Sequence, residues 1–583
     1  MISGPIPMLR FFIATIMILW LLPQTAFPAV FHTAMTGDDS NPGSEFLPWR
    51  TVQKAANTLQ PGDSVIVGPG DYAERVMTAT DGTPNARVTF IGLEGATVRG
   101  FKIQHLYVTV SGFNITGWSA PSTLSGYVEV TSTGDFFEMS NCHVRDGIQA
   151  VRTDMVLDSS QNAIISSTGG FLEAGFAPGQ TLYVGAATNG LSLANSGLHT
   201  ILSVSDNSII TGTPLVDEGP LPIYLSASFV YGLVLRTGSE NCLIRSNTFH
   251  NLGYDVWFIM GSGHLLENNT IEQVNGWDAM HFGGTDHVFR GNLIRNSPLM
   301  VFQNSPDALE NYSPNPYARV LFTNNFIQGF AGVLASQKGE NHSTDLLFSR
   351  NVFVDVGRFV ATHPETTFEY NTFLRVAKTN TPVTSVAKHP ILIQSSLGAT
   401  NIVIRNNVFV DCGQPSTSVS SEQVGWYEIS GLANSIIAEG NFVAGAPISF
   451  TAKTTWPESD PLLNGGDPGF VDINDPLGPD GIPFTHDDGL RLFPDSKLIL
   501  AGPAGTTLGA YEVVYTPRLE LTLRADGLLR ISWKDTRYDY VLQTADSPND
   551  NWVDSIEPIT RTGGQCWIMV QPVESTSFFR LRP

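Results

Sequence analysis

The chain has 583 residues, which is enough for a large core and more than one domain. Asp and Glu (54) outnumber Lys and Arg (32), and the net charge of −22 argues against nucleic acid and anionic membranes as partners. Only 15% of the residues are charged, while Gly (55) and Pro (36) are frequent, so the composition favours a turn-rich extracellular β-protein over a disordered chain.

The first segment predicts export. Arg10 precedes FFIATIMILWLL, about twelve apolar residues that are too few to span a bilayer, and the small-residue stretch PQTAFPA follows. We interpret residues 1–29 as a signal peptide cleaved near Ala26 or Ala29. The mature protein is then expected to be secreted, periplasmic or on the cell surface, without a membrane anchor.

Residues 30–152 are expected to begin the main fold. A short amphipathic helix is predicted around Thr51–Leu59, and PGDSVIVGPGDY predicts a strand and a turn. This segment resembles the N-terminal entry of the pectate-lyase-like superfamily of secreted right-handed parallel β-helix proteins. The resemblance implies that the helix caps the open end of the first coil, where strand edges would otherwise be exposed.

Residues 153–228 interrupt the pattern. FLEAGFAPGQT and SVSDNSIIT predict short strands with their own turns, and hence a small inserted β-barrel. The segment resembles a module seen in phage-particle proteins. Such an insert could lengthen a binding cleft or only decorate the fold, and the sequence favours decoration.

A repeated Asn-x-Phe or Asn-x-Ile motif dominates residues 229–515. Several copies lie about 22 residues apart, which predicts stacked coils of a parallel β-helix, with a β-propeller as the rival. Asn suits the bend between strands and its amide can bond along a stack, whereas the Phe points into the coil. The clearest copies centre on Asn247, Asn269, Asn292, Asn324, Asn351, Asn371 and Asn407.

The end of the chain predicts two further features. DPGFVDINDPLGPDGIPFTHDDGLRL is expected to close the coils, and its carboxylates suit either a structural Ca²⁺ or ordinary turns. Residues 516–583 predict a small β-sandwich, which resembles the immunoglobulin-like modules of secreted enzymes. The candidate calcium ligands are Asp475, Asp480, Asp487 and Asp488. Trp533, Trp552 and Trp567 could form a sugar-binding platform, but the sequence favours a place in the core. The four cysteines, Cys142, Cys242, Cys412 and Cys566, are expected to be core residues without disulfide partners.

Aligning the coils on the Asn motif places the ends of the following strands in one row. Neighbouring rungs lie about 4.8 Å apart, so the row would span several sugar units. Nearby loops add ionisable groups at one rim. The predicted row is Met260, His281, Gln303, Lys338, His363 and Gln394, and the loop residues are Asp286, His287, Asp307, Glu310, Tyr312, Glu340 and His342.

Three functions fit this row. In β-elimination on a uronic acid, Lys338, His281 or His363 would act as base, and Gln303, Lys338 or a cation would neutralise the carboxylate. SQKGEN resembles the Ser-x-Lys stretch of alginate and chondroitin lyases, although Ala361 and His363 stand where that branch implies an arginine. Paired carboxylates would instead support glycoside hydrolysis, and a glycan-binding adhesin or tailspike-like rod is the third possibility. The carboxylates proposed for hydrolysis are Asp278, Asp307 and Glu310.

The sequence alone therefore predicts an all-β protein: a right-handed parallel β-helix with an inserted small β-barrel and a C-terminal β-sandwich. It favours a secreted, monomeric lyase that cleaves an anionic polysaccharide, with possible help from Ca²⁺. The remaining residues assigned to substrate binding are Gln303, Gln394, Asp278, Glu310, Tyr312, Glu340 and His342.

Overall fold

The computed structural model describes the chain from residue 28 onward in segments. These are residues 28–119, 125–186, 191–192, 194–228, 230–252, 254–274, 278–295, 307–311, 316–330, 332–335, 343–361, 363–377, 390–394, 400–413, 427–430, 436–445, 466–512, 519–534, 541–547, 551–555, 557–562, 565–571 and 577–582. The proposed signal peptide, residues 1–29, lies almost entirely outside them. The described residues form two compact units, one ending at Ala318 and the other beginning at Arg319.

Each coil of the first unit runs through three short strands, and each strand pairs in parallel with the equivalent strand of the next coil. We call these three stacks the first, second and third faces, in chain order. The first face comprises Val30–Thr33, Ser64–Val67, Val88–Gly92, Val108–Ser111, Glu138–Ser140, Leu243–Arg245, Leu265–Glu267 and Val288–Arg290. The second comprises Asn114–Ile115, His143–Arg145, Thr248–Leu252, Thr270–Val274 and Leu293–Arg295. The third comprises Gly70–Met77, Ala96–Ile103, Gly126–Val130, Tyr231–Leu235, Trp257–Ile259, Met280–Phe282 and Asp307–Glu310.

The second unit repeats the same order of strands. Its first strand, Tyr317–Thr323, begins within the first unit, where Tyr317 and Ala318 pair with Gly284–Thr285. The first-face strands that follow are Thr344–Ser349, Thr366–Glu369, Ile402–Arg405 and Ile436–Glu439. The second-face strands are Phe326–Gln328, Val352–Val354, Thr372–Leu374, Val408–Val410 and Phe442–Ala444, and the third-face strands are Gly332–Ala335, Arg358–Ala361, Ile391–Gln394 and Tyr427–Ser430.

Asparagine ladders hold neighbouring coils together. The side-chain oxygen of Asn269 accepts both the backbone N–H and the amide N–H of Asn247, each at 3.0 Å, and Asn292 does the same for Asn269. The expected amide stack is confirmed, and in the second unit it runs through Asn325, Asn351, Asn371, Asn407 and Asn441.

The bend itself falls on the residue before each ladder asparagine. Ser246 (φ 54°) and Asn268 (φ 53°) are left-handed, so the expectation that the ladder asparagine makes the bend is wrong. Asn324, proposed as a motif centre, is also such a bend residue, and Asn325 takes the ladder position. The ladder asparagine instead keeps its amide directed along the stack, where it satisfies buried backbone groups.

Apolar residues two places after the asparagines fill the coil interior. Phe249, Ile271 and Ile294 are buried in the first unit. In the second, Phe373 stacks on Phe353 and Phe409 at ring-centroid distances of 5.1 and 4.5 Å. The motif therefore supplies both the hydrogen-bonded edge and the apolar core of each coil.

A short helix, Val52–Ala56, follows the first strand, Val30–Thr33. It starts about where the sequence predicted a helix but ends earlier than the predicted Leu59. The Thr51 hydroxyl caps it by accepting the Lys54 N–H, and Glu74 accepts the N–H groups of Val52 and Gln53. Val52 and Ala55 are fully buried, which is consistent with the capping role that the resemblance implies. A single 3₁₀ turn, Pro503–Gly505, lies near the end of the coils.

The insert is a closed antiparallel barrel with its own apolar core, which includes Met155, Phe171 and Ile223. Its strands are Gln149–Asp158, Ala163–Ile165, Thr181–Ala186, Gly197–Val204, Ser208–Thr211 and Glu218–Ser226, so it begins four residues before the expected boundary.

The C-terminal block consists of two small antiparallel sheets that share one apolar cluster. Trp533 lies in that cluster, and Arg530 and Arg580 cover the rings of Trp567 and Trp552, so the structural interpretation of these tryptophans is supported. All four cysteines are buried and none forms a disulfide, as expected. The strands are Glu520–Leu523, Leu529–Lys534, Gln565–Val570 and Thr560–Thr562 in one sheet, and Val553–Asp554, Val541–Ala545 and Phe578–Arg582 in the other.

These observations confirm the all-β fold class: a parallel β-helix, an inserted barrel and a C-terminal sandwich. In the described part of the chain, no helix has the length and apolar character needed to cross a bilayer.

Candidate active site

Acidic residues stand at the same corner of three successive coils, just before the third face. The Asp278 N–H donates to the Asp255 carboxylate at 2.8 Å, and the Asp307 N–H donates to the Asp278 carboxylate at 2.8 Å. The corner thus carries an aspartate ladder, comparable to the asparagine ladder elsewhere in the coil. A carboxylate accepts the backbone N–H as well as an amide oxygen does, but it adds a negative charge to every rung.

His281 lies at the centre of these carboxylates. Its strand pairs with Trp257–Ile259 so that His281 stands beside Phe258, and on the other side it stands beside Glu310. Nε2 of His281 lies 3.0 Å from the Asp278 carboxylate and 2.8 Å from that of Glu310, while Nδ1 lies 3.6 Å from the Asp255 carboxylate. One imidazole therefore contacts carboxylates from three coils.

The site is buried and strongly coupled. Asp255 is fully buried, and the side chains of Asp278 and His281 are each 7% exposed, whereas Glu310 is 15% exposed. Trp257, Met280 and Phe282 are also buried, so apolar side chains lie beneath the polar cluster. Glu310 is consequently the member of the cluster that is most open to solvent.

Opposing effects set the charge of the cluster. Burial disfavours the imidazolium, but the negative charge of Asp255 and the contacts with Asp278 and Glu310 outweigh it and raise the pKa of His281 well above its usual value. Burial also raises the pKa of Asp278, against the hydrogen bond from His281. The arrangement thus favours a protonated imidazole and makes the Asp278 carboxyl group easier to protonate than an ordinary aspartate.

Two arginines that lie farther along this face are already paired. Arg75 and Arg236 converge on Glu129 at 2.9 and 3.0 Å, and Glu129 stands three rungs before His281. Within the described part of the His281 cluster, carboxylates therefore outnumber cations.

The structure brings together part of the sequence-predicted site. Asp278, His281, Asp307 and Glu310 meet in the cluster. The alignment of Gln303 on the rung next to His281 is wrong because Glu310 occupies it, and Phe258 rather than Met260 pairs on the other side. Glu310 follows His281 by 29 residues, whereas His281 follows its other partner, Phe258, by 23, so a constant repeat does not predict this register.

Of the other predicted site residues, His363 and Gln394 belong to the second unit. His363 is buried in the second unit, where burial lowers its pKa to about 4. Gln394 ends the strand Ile391–Gln394, but its side chain is not among those described. Gln303, Tyr312, Lys338, Glu340 and His342 lie outside the described residues.

Asp255 was missed by sequence reasoning. The equivalent segments of two successive coils, DVWFIM (255–260) and DAMHFG (278–283), both begin with Asp, and this shared position could have identified Asp255 from the sequence. His287, placed among the rim residues, instead stacks on His264 in the coil interior at a centroid distance of 4.9 Å, so that expectation is wrong. Asp286 is exposed in the loop before it, as expected.

The closing segment gathers three of its four proposed calcium ligands. Carboxylate oxygens of Asp480, Asp487 and Asp488 lie within 4.8 Å of one another, whereas Asp475 is not part of this group. Turn hydrogen bonds already engage them: Ile482 N–H donates to Asp480 at 2.8 Å, and the Tyr511 hydroxyl donates to Asp488 at 2.6 Å. Calcium binding here stays a prediction.

Comparisons with known proteins concern mainly the fold. A family model described as a protein of unknown function, DUF1565, matches residues 35–78, and a search among curated proteins found no match. Similar solved structures include pectate lyase Pel9A (14% identity, 84% of this chain, 97% of that chain, TM-score 0.36). Another is a PL6 family polysaccharide lyase from Pseudopedobacter saltans (13% identity, 70% of this chain, 96% of that chain, TM-score 0.36). A third is a GH136 lacto-N-biosidase from Eubacterium ramulus (12% identity, 71% of this chain, 67% of that chain, TM-score 0.37). At these identities and TM-scores the likeness bears neither on the activity of this chain nor on its site residues.

Proposed function

We propose that this protein is a glycan-degrading enzyme and that Asp278, His281 and Glu310 carry out general acid–base hydrolysis. The single observation that supports this most directly is that two carboxylates from successive coils bind the same imidazole nitrogen, at 3.0 and 2.8 Å. Their oxygens therefore lie no more than ~6 Å apart, which is compatible with the ~5–5.5 Å separation found in retaining glycosidases.

The two carboxyl groups have different environments, as acid–base catalysis requires. Asp278 is the more buried, and its raised pKa suits a general acid that protonates the glycosidic oxygen. Glu310 is more open to solvent and lies beside the imidazolium, which favours its ionised form. Glu310 would then attack the anomeric carbon, and the deprotonated Asp278 would activate the water that releases the sugar.

Electrostatics also favour hydrolysis of a neutral glycan. A glycosidase transition state carries positive charge on the sugar ring, which carboxylates stabilise. A uronic acid would instead bring another negative charge to a cluster that already holds Asp255, Asp278 and Glu310. The sequence alone favoured β-elimination, and the negative charge of the cluster is our reason for proposing hydrolysis ahead of it.

One observation keeps β-elimination as the second candidate. Asp255, Asp278 and His281 each offer an atom, all within 4.8 Å of one another, that could bind a metal ion. A bound cation would neutralise a uronate carboxylate and acidify the neighbouring proton, and Lys338 would be the base, because His281 would be bound to the cation.

Two assays on the full chain separate these reactions. Hydrolysis of a panel of neutral and uronic-acid glycans is expected to release reducing ends without absorbance near 235 nm, because that absorbance requires the double bond made by elimination. Glu310→Gln and Asp278→Asn are expected to lower kcat by about 10²–10⁴-fold. Glu267→Gln, on the first face, is the matched control and is expected to retain activity.

Other results of these assays would contradict the proposed hydrolysis. A rise at 235 nm that depends on added Ca²⁺ would replace hydrolysis by elimination, and full activity in Glu310→Gln would remove Glu310 from the mechanism. Glycan binding with neither product would favour the adhesin. A polymeric substrate is consistent with the proposed export signal, and N-terminal sequencing of the mature protein tests cleavage near Ala26 or Ala29.

A further inference from the structure

A cavity of about 530 Å³ lies where the inserted barrel joins the coils, and we call it the junction pocket. Arg99, Asp146 and Asn251 line it from the coil side. Glu173 and Gln180 line it from the barrel, and Gln149 lies where the two meet. This volume is within the ~300–1,000 Å³ range of small-ligand sites, and none of its lining residues belongs to the His281 cluster.

The barrel is fixed firmly to the coil at this point. The buried Ser228 hydroxyl donates to the Trp118 carbonyl at 2.8 Å and accepts the Ile148 N–H at 2.9 Å and the Tyr127 hydroxyl at 3.1 Å. Ile148 lines the pocket and also belongs to the apolar core of the barrel. The two walls of the pocket are therefore held in a constant arrangement, which lowers the entropic cost of binding a ligand between them.

Planar polar groups in the pocket are held by their neighbours. Asn251 donates its amide N–H to the Asp146 carboxylate at 3.0 Å, and the Gln149 amide donates to the Asn251 carbonyl at 2.9 Å. The Gln180 side chain accepts the Ala177 N–H at 2.8 Å. Gln180 also donates to the Gly175 carbonyl at 3.2 Å, so its side-chain amide is held in a fixed direction. An amide nitrogen has a second N–H and an amide oxygen has a second lone pair, and these suit a ligand whose groups both donate and accept.

Two of the three charged residues that line the pocket, Arg99 and Asp146, are paired locally, and the exposed Glu173 adds a negative charge that would disfavour an anionic ligand. Arg99 binds both carboxylate oxygens of Asp71, at 2.6 and 2.8 Å, and Arg145 binds Asp146 at 2.6 Å. A ligand with a large net charge of either sign would compete with these pairs, whereas a neutral, hydroxyl-rich ligand would not.

We propose that the junction pocket is a second, non-catalytic binding site for a neutral saccharide unit, formed jointly by the coil and the barrel. The saccharide class rests on the proposed function, because a further unit of the same polymer would be the available hydroxyl-rich ligand. The barrel then does more than decorate the coil: it supplies one wall of a substrate-anchoring site.

The experiment fills or strips the pocket and leaves the His281 cluster untouched. Ala174→Trp would occupy the pocket, and Leu172→Trp, two residues away on an exposed side chain, is its matched control. Gln180→Ala removes a lining amide, and Gln161→Ala removes an exposed barrel amide outside the pocket. Binding is measured by affinity electrophoresis and calorimetry with neutral tetra- and hexasaccharides of glucose, xylose, galactose and mannose.

Ala174→Trp and Gln180→Ala are expected to weaken binding of at least one of these saccharides by about tenfold, and to raise KM on the parent polymer with unchanged kcat. Both control variants are expected to bind like the wild type. Saccharide binding that persists without hydrolysis and is lost in Ala174→Trp would support the pocket while refuting the proposed function. Equal binding by Ala174→Trp and Leu172→Trp, or no binding of any probe by the wild type, would overturn the pocket proposal.

Discussion

His281 illustrates how a buried charge can be kept in a β-helix. A lone imidazolium with so little exposure would lose its proton, but three carboxylates surround this one and favour the charged form. Asp255 is fully buried and does not share the exposure of Glu310. We therefore interpret Asp255 as a residue that positions His281 and sets its charge, rather than one that touches substrate.

Asp255→Asn tests this role. The amide keeps the shape and can still accept the Asp278 N–H, but it removes the largest of the contributions that raise the pKa of His281. Asp255 raises the pKa of both His281 and Asp278, so without its charge both groups lose their protons at a lower pH, and the alkaline limb of kcat/KM is expected to move to lower pH. The control Asp286→Asn alters an exposed carboxylate in a nearby loop, and an alkaline limb at the wild-type position in Asp255→Asn would contradict the assignment.

At the scale of the element, the asparagine ladder makes each coil depend on its neighbours. The Asn371 side-chain oxygen accepts two N–H groups of Asn351, at 2.9 and 3.0 Å, and its amide donates to the Phe348 carbonyl at 2.9 Å. These groups are buried, so they have no solvent to replace a lost partner.

Asn371→Ala is expected to cost about 2–4 kcal/mol of unfolding free energy, because it leaves several buried polar groups unpaired. Thermal unfolding followed by circular dichroism should show a lowered midpoint. Asn474→Ala removes an exposed asparagine in a turn and is the matched control. Equal midpoints for the two variants would mean that the ladder adds little stability.

A second element-scale device is a buried pair of neutral histidines. Nδ1 of His264 accepts the Cys242 N–H at 3.1 Å, and Nδ1 of His287 accepts the His264 N–H at 3.2 Å, so both nitrogens must be unprotonated. Burial lowers the pKa of His264 to about 3 and that of His287 to about 4.

The pair predicts a loss of stability in mild acid. In the unfolded chain these histidines have a pKa of about 6.5, so acid protonates the unfolded chain before it protonates the folded one. Their contribution to stability is complete above that pH and falls as the pH drops toward the folded values. His287→Asn is expected to weaken the fall of the thermal unfolding midpoint as the pH is lowered from 6.5 to 4. His486→Asn alters an exposed histidine and should leave this pH dependence unchanged. The same pH dependence in the wild type and both variants would exclude the histidine pair as its source.

At the scale of the whole molecule, the net charge of the chain and the charge of the His281 cluster are both negative. The chain carries −22, and carboxylates outnumber cations in the described part of the His281 cluster. Long-range repulsion should therefore slow the approach of anionic polymers, and salt should screen it over a Debye length of about 10 Å at 0.1 M.

We expect kcat/KM on neutral glycans to exceed that on uronic-acid glycans at low ionic strength, and the ratio to narrow as NaCl is added. The measurement is initial rate against salt for one polymer of each class, with an uncharged chromogenic disaccharide as control. A preference for the anionic polymer that weakens with salt would show that a cationic subsite dominates binding.

The sequence by itself determined the coil. Its Asn-x-Phe repeat predicted the amide ladder and the apolar stack, since both depend on local strand geometry repeated at a regular spacing. It also identified His281, Asp278, Asp307 and Glu310 as candidates, although without their mutual contacts.

Only the tertiary structure decided which side chains meet. Glu310 pairs with His281 across 29 residues, whereas 23 separate His281 from Phe258, and because added loop residues cost little free energy, the sequence does not mark where the register resumes. Glu310 therefore replaces Gln303 beside His281, and Asp255 joins from the coil before. A local repeat determines the hydrogen bonds between coils. The contacts of a site depend on which residues pair between coils, and variable loop lengths prevent that register from being deduced from the sequence.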